Sequence, residues 1–128
     1  MMTISERQPV SAAPHPTDIT LDRAARALVV TFDNGERFTL PAEYLRVESP
    51  SAEVQGHSGD EKKIIAGKRD VAITDVRPVG RYALQLVFDD GHDSGFYRWD
   101  YLYELGAGQD EKWAAYLNAL AKRGLTRA

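Results

Sequence analysis

The densest group of potential ligands in the sequence is FDDGHDSG, residues 88–95. Asp89, Asp90, His92 and Asp93 set three carboxylates and an imidazole on one turn. Carboxylate oxygens suit hard cations and imidazole suits borderline ones, so His92 and Asp90 are candidate ligands for a divalent ion. His57, in the long segment 55–70, could swing in to join them. The same residues also have a purely conformational explanation. Asp90-Gly91 is the pair that a tight hairpin demands, Asp89 can accept from the backbone of that turn, and His92 simply flanks it. A second stretch of interest is LRVESPSAEV, residues 45–54. There Ser49, Ser51 and Ala52 crowd around Pro50 directly after an apolar segment, as if to frame a binding turn. Other catalytic patterns fail on spacing. GHSGD lacks the second glycine of a nucleophile elbow and no strand leads into it. GDEKKIIAGKR has the wrong glycine spacing for a phosphate loop, with Arg69 where a magnesium-binding hydroxyl should stand, and no HExxH pair occurs.

Composition narrows the classes further. A chain of 128 residues fits one domain and can bury a core without staples. With 43% hydrophobic and 27% charged residues it reads as an ordinary globular protein. The absence of cysteine excludes disulfides, thiolate nucleophiles and thiolate metal sites. A net charge of -3 gives no global attraction to phosphate backbones or anionic lipid, so neither nucleic acid nor membrane is expected as a partner. Lys62, Lys63, Lys68 and Arg69 are read as a solvated loop rather than a binding patch. No apolar run approaches a bilayer span and MMTISERQPV lacks a signal-peptide core, so the cytoplasm is the expected location.

These candidate residues must be positioned by strands and short helices. Residues 1–17, with three prolines and no periodicity, are expected to form a flexible tail, and the domain to run from 18 to 128. ITLD and ALVVTF read as strands, Asn34-Gly35 as a tight hairpin turn with positive φ angles, ERFTL as the returning strand, and PAEYLRV as a short helix opened by Pro41. VAITDVRPVG, RYALQLVF and GFYRW repeat that plan around Asp90-Gly91, and WDYLYEL opens a helix that Gly106 can end. Phe32 to Gly35 align with Phe88 to Gly91 at an offset of 56, Phe38 with Phe96 at 58, and Glu43-Tyr44-Leu45 with Asp100-Tyr101-Leu102 at 57. The pattern is that of a weak internal duplication or of two hairpins alike through shared turn chemistry. The expected fold is α+β, two-layer, with a mainly antiparallel sheet of meanders, short helices and a C-terminal amphipathic helix. In that helix Trp113, Tyr116, Leu117 and Leu120 form one apolar face, expected to pack on the sheet, and Gly124 closes it. Segment 55–70, rich in glycine and charge, is expected to be mobile.

The blocks YLRVESPSAEVQGH and VGRYALQLVFDDGHDSGFYRWDYLYELG resemble the gamma-butyrobetaine hydroxylase-like N-terminal domain family over about residues 17 to 124. The resemblance implies a small domain that precedes the catalytic jelly roll of 2-oxoglutarate-dependent oxygenases and does not itself hold iron. In those larger proteins the turn after the Leu-Arg pair carries three cysteines that bind structural zinc together with a histidine. Carried over residue by residue, the cysteine positions fall on Ser49, Ser51 and Val54 and the histidine on His92. A neutral hydroxyl is a poor zinc ligand and valine has no donor, so the resemblance implies a knuckle without its ion, held by hydrogen bonds from Ser49 and Ser51 and by the fixed φ of Pro50. His92 is expected to bond to this turn if the two segments meet.

No cofactor and no catalytic residue are expected. The leading reading is a non-catalytic interaction module that docks a protein partner, one linked to iron or iron–sulfur proteins, since similar domains are fused to iron–sulfur carrier ATPases. Arg46, Tyr97, Trp99 and Tyr101, with Phe96, Tyr103 and the 49–54 turn, are the candidate surface, although such rings equally fill a core. The alternatives are a metal-binding protein using His92 with neighbouring aspartates and a non-catalytic component of an oxygenase-type enzyme.

Overall fold

The structure is a computed structural model and describes residues 13–56 and 62–128. Most of the expected N-terminal tail, with His57 and the centre of the expected mobile segment, lies outside the described residues. The chain runs β1 (Pro16–Asp22), β2 (Ala27–Phe32), β3 (Arg37–Pro41), α1 (Ala42–Val47), α2 (Ala52–Gln55), β4 (Ile73–Val79), β5 (Ala83–Phe88), β6 (Phe96–Arg98), α3 (Trp99–Ala107) and α4 (Gln109–Lys122). The first strand thus starts at Pro16, two residues before the expected Asp18. It is an α+β fold with two antiparallel three-stranded sheets, β1-β2-β3 and β4-β5-β6, rather than one. No helix among the described residues is long and apolar enough to cross a membrane.

Strand alternation explains the core. In ALVVTF and ALQLVF the residues Leu28, Val30 and Phe32, and Leu84, Leu86 and Phe88, point inward with the same burial pattern along both strands. They meet Tyr44 and Leu45 of α1 and Leu102 and Leu105 of α3 in one apolar cluster. The helices tie the halves together: α3 lies against the first sheet, where Tyr103 packs edge-on to Phe32 and Phe38, and Tyr97 of β6 donates to the Leu45 carbonyl of α1.

The duplication is structural. In both hairpins the glycine N–H bonds to the phenylalanine carbonyl, Gly35 to Phe32 at 3.0 Å and Gly91 to Phe88 at 3.1 Å. Gly35 and Gly91 each have φ of 89°. Only the glycine is left-handed, so each turn is a three-residue loop closed by a glycine bulge, not the two-residue turn expected. Both sheets also carry a bulge at the same place. Thr17 and Thr74 are the extra residues, and their hydroxyls bond to the carbonyls of Thr31 and Val87.

Pairing corrects the alignment in one place. Gln85 faces Phe96, whereas its counterpart Val29 faces Thr39, so Phe96 corresponds to Thr39 and Phe38 to Gly95. Matching phenylalanine to phenylalanine gives an offset of 58, whereas the main-chain pairing gives 57, a difference of one residue.

Three further expectations change. Pro41 is the extended N-cap of α1 rather than its first helical residue. Gly106 does not end α3, which runs to Ala107 with Gly108 as C-cap. It is glycine for another reason, since a Cβ there would lie 2.3 Å from the Phe38 ring. Helix α4 buries Tyr116 and Leu120, but Leu117 is 40% exposed. Tyr116 and Leu120 meet Val47 of α1 and the extended residues Ile64, Ile65 and Ala66 rather than a sheet face, while Trp113 also packs on the main core beside Tyr44. The Tyr116 hydroxyl donates to the Ile65 carbonyl at 2.6 Å, so this part of the 55–70 segment is anchored. Gly124, at φ 66°, closes α4 as expected, with bonds from Gly124 N–H to Ala121 and from Leu125 N–H to Leu120.

Candidate functional site: a serine and histidine knuckle

The turn after α1 and the second hairpin meet. Glu48 caps α1, Pro50 turns the chain outward, and Ser51 caps α2 by accepting the Glu53 N–H at 3.2 Å. Ser49 is fully buried between these helices. Its Oγ accepts the Ser51 N–H at 3.2 Å and lies 2.9 Å from Nε2 of His92. His92 reaches it because the left-handed Gly91 turns the strand back one residue earlier. Nδ1 of His92 lies 3.2 Å from Glu53 Oε1. An ionised carboxylate can only accept, so Nδ1 carries the ring proton and Nε2 takes the hydroxyl hydrogen of Ser49. Gln55 donates to the Ser49 carbonyl at 2.8 Å, and the hydroxyls of Ser51 and Ser94 bond at 2.8 Å. Val54 is buried beside them.

Close packing completes the knuckle. A Cβ on Gly95 would come within 2.6 Å of Ser49 Oγ. The repeat makes the reason visible, since Ser49 corresponds to Gly106 and Gly95 to Phe38. In one copy of the contact a serine faces a glycine and leaves room for a polar cluster. In the other a phenylalanine fills the place against a glycine. The helix tyrosines are reciprocal as well. Tyr44 donates to the Leu105 carbonyl and Tyr101 to the Glu48 carbonyl, both at 2.6 Å.

Electrostatics favour a neutral imidazole. Burial, then the Arg46 charge, lowers the His92 pKa, and these outweigh the opposite pull of Glu53 and Asp90. Burial alone would raise Asp90, but bonds from Lys68, the His92 N–H and Arg46 overcome it and hold the carboxyl well below the usual range. Lys68 Nζ and Arg46 Nε approach the same oxygen at 2.6 and 2.8 Å.

These placements decide what the site can do chemically. Glu53, His92 and Ser49 stand in the connectivity of an acyl-transfer relay. However, Ser49 is fully enclosed and its oxygen already accepts a backbone N–H, so no carbonyl carbon can approach it. The residues do not fit a zinc ion either. Val54 offers no donor, the hydroxyls of Ser49 and Ser51 are engaged, and both imidazole nitrogens have partners. Asp90 does not converge with the His92 ring, because its carboxylate faces two cations and the His92 main chain. Asp89 accepts the Ala72 N–H. Among the described residues no three His, Cys, Asp or Glu side chains group as metal ligands.

The residues expected to form an interaction surface separate. Tyr97 is fully buried and donates to the Leu45 carbonyl, so it faces no solvent. Arg46 has 11% of its side chain exposed and is tied to Asp90. Trp99 and Tyr101 are half-buried, their polar atoms bonded to the Arg81 and Glu48 carbonyls. Phe96 is open, at 49%. Glu53, Gln55, Ser94 and Gly95 belong to the knuckle but were not anticipated. Ser51 followed by an acidic residue carries a helix-start signal that points to α2 and Glu53. Ser94 and Gly95 carry no local signal.

A family model described as gamma-butyrobetaine hydroxylase-like, N-terminal, matches residues 19–103. The chain belongs to this family. The family match spans the two meanders, α1, α2 and the knuckle, and reaches into α3. Two solved structures, both solution structures by NMR, are similar to the chain. One is 48% identical, covers 90% of each chain and has a TM-score of 0.79. The other is 42% identical, covers 98% of this chain and 91% of its own, with a TM-score of 0.78. A crystal structure of a protein of unknown function from Acidithiobacillus ferrooxidans ATCC 23270, of the DUF971 family, is 38% identical over 73% of this chain and 93% of its own, with a TM-score of 0.62. No curated protein matches the chain.

Proposed function

We propose that this family member is a non-catalytic, cytoplasmic interaction module that docks a protein partner on the outer side of its second sheet. The observation that carries this reading is the exposure of two large rings there. Tyr82 and Phe96 are 50% and 49% exposed. Between them the Arg98 guanidinium lies over the Tyr82 ring at 5.4 Å. Beside Phe96 a cleft of about 310 Å³ runs between Pro50 of the knuckle turn and Tyr101 of α3, with Asp100 and Glu104 on its rim. Aromatic side chains and arginine over a cleft supply the anchors that protein interfaces favour. The knuckle supports this surface by fixing Pro50, which forms one wall. The family resemblance is what points to partners that handle iron or iron–sulfur clusters.

The test compares full-length protein with an F96E/Y82E variant in affinity purification from native cells. The proposal expects a reproducible partner retained by the parent chain and lost from the variant, whose circular dichroism is unchanged. Identical recoveries, or no reproducible partner, would contradict it.

A further inference from the structure

A second cavity lies at the N-terminal end of α1, between Glu43 and Trp113. After Gly124 the chain leaves α4 and residues 125–128 run extended along residues 67–69. The N–H groups of Gly67 and Arg69 donate to the carbonyls of Thr126 and Arg127 at 3.0 and 2.9 Å. Arg127 then turns its guanidinium onto Glu43, with Nε to Oε2 at 2.9 Å and Nη2 to Oε1 at 2.7 Å. The same guanidinium sits 5.4 Å from the centre of the Trp113 ring. Glu43 is 7% exposed as a side chain, and the surrounding cavity of about 250 Å³ is lined also by Pro41, Tyr44 and Gln109.

A buried carboxylate is costly without a cation, and a two-pronged contact plus an aromatic face selects a planar guanidinium over an ammonium. Main-chain bonds to 67–69 add the sequence-independent grip of a strand laid on an edge. This is the chemistry of a receptor for an arginine-bearing extended segment, occupied in cis by the chain's own arginine. The occupant is attached lightly. Beyond the Leu125 N–H bond that closes α4, it is held by two main-chain bonds and by the Arg127 contacts with Glu43 and Trp113; Leu125 in it is 41% exposed, the Arg127 side chain is 40% exposed, and Gly124 supplies a hinge at φ 66°.

We propose that the Glu43 and Trp113 pocket binds an arginine-containing extended segment of a partner protein, and that residues 125–128 gate it by occupying it in cis. The inference shares with the proposed function only the view that a protein is the ligand, and it uses a different face.

The probe is a peptide spanning residues 124–128 of this chain, followed by tryptophan fluorescence, to which Trp99 and Trp113 both contribute, and by calorimetry on the full-length protein. With R127A, which empties the guanidinium site and leaves only main-chain bonds to be displaced, saturable one-to-one binding is expected. Binding should fall at least about tenfold in the parent chain, where the tethered arginine competes at high effective concentration. It should be lost in E43Q/R127A and for a lysine-containing peptide, and be unchanged by F96E. Should R127A fail to fold, R127Q takes its place, since one neutral N–H donor to Glu43 yields to the two-pronged charged contact of the peptide's arginine. No saturable signal with a folded variant, or equal binding of the lysine peptide, would overturn the inference. A concentration-dependent dimer of the parent chain that R127A abolishes would assign the pocket to a second copy and overturn the partner assignment. Because F96E is a control here, loss of the aromatic surface and loss of this pocket are read separately.

Discussion

Replacing Ser49 with alanine isolates the hydrogen-bond core of the knuckle. The change removes one oxygen and leaves a cavity too small to matter, so its cost is almost wholly polar. Two buried groups lose their partners, the Ser51 N–H and Nε2 of His92. No tautomer rescues the ring, since a proton moved to Nε2 would have no acceptor there and would deprive Glu53 of its donor. An orphaned buried polar group costs about 1–3 kcal/mol, and partial relaxation brings the pair to roughly 2–4 kcal/mol. With an unfolding entropy of about 2.1 cal/mol/K per residue, that lowers Tm by roughly 7–15 °C for a chain of 128 residues. Thermal denaturation followed by circular dichroism measures it, and a cycle with H92F tests the coupling. The two changes should be strongly non-additive, because either one breaks the same bridge. A Tm for S49A within about 2 °C of the parent would refute the reasoning, since a drop that small is well below 1 kcal/mol.

Other consequences of the same geometry are open to measurement. Gly106→Ala and Gly95→Ala both force atoms into occupied space, and each should cost about 1–3 kcal/mol in urea unfolding; F38A should partly rescue G106A but not G95A. Tyr44→Phe and Tyr101→Phe each remove the donor to a carbonyl of the other half's helix, at about 1–2 kcal/mol each in urea, with the larger loss at the fully buried Tyr44 and the smaller at the half-buried Tyr101. Acid should destabilise the fold in two stages. The folded His92 holds its proton less tightly than an unfolded histidine, so the unfolded chain binds more protons below about pH 6.5 and stability declines as pH falls through that range. The depressed Asp90 carboxyl adds a second loss as pH falls below about 4, the unfolded carboxylate value, and D90N should flatten that limb in urea melts at graded pH.

The elements were legible where local chemistry dictates them. Alternating ALVVTF and ALQLVF, each followed by a glycine turn, announced the two meanders, and the charges and apolar spacing of α4 announced the helix. What α4 packs against was not legible, because a stripe says that a face is covered and not by what. The one-residue slip between Phe38 and Phe96 arose from matching residue types, whereas the true register follows main-chain bonds that leave no trace in hydrophobic spacing. Glycine commonly ends helices, so Gly106 has the look of a stop. Its actual constraint is a phenylalanine ring nearly seventy positions away in the sequence. The knuckle was legible in its serines and histidine through the family resemblance, but Glu53, Ser94 and Gly95 join it only through tertiary contacts. Tyr97 shows the limit of composition as a guide to surfaces, since an aromatic in a strand next to a helix serves a core as readily as an interface.

The measurement that bears most directly on the knuckle is the melting of full-length, tag-free protein with and without a chelator, alongside its elemental content. Superimposable melts and no stoichiometric bound cation are what a hydrogen-bonded Ser49 and His92 predict. A tightly held ion whose removal lowers Tm would contradict it.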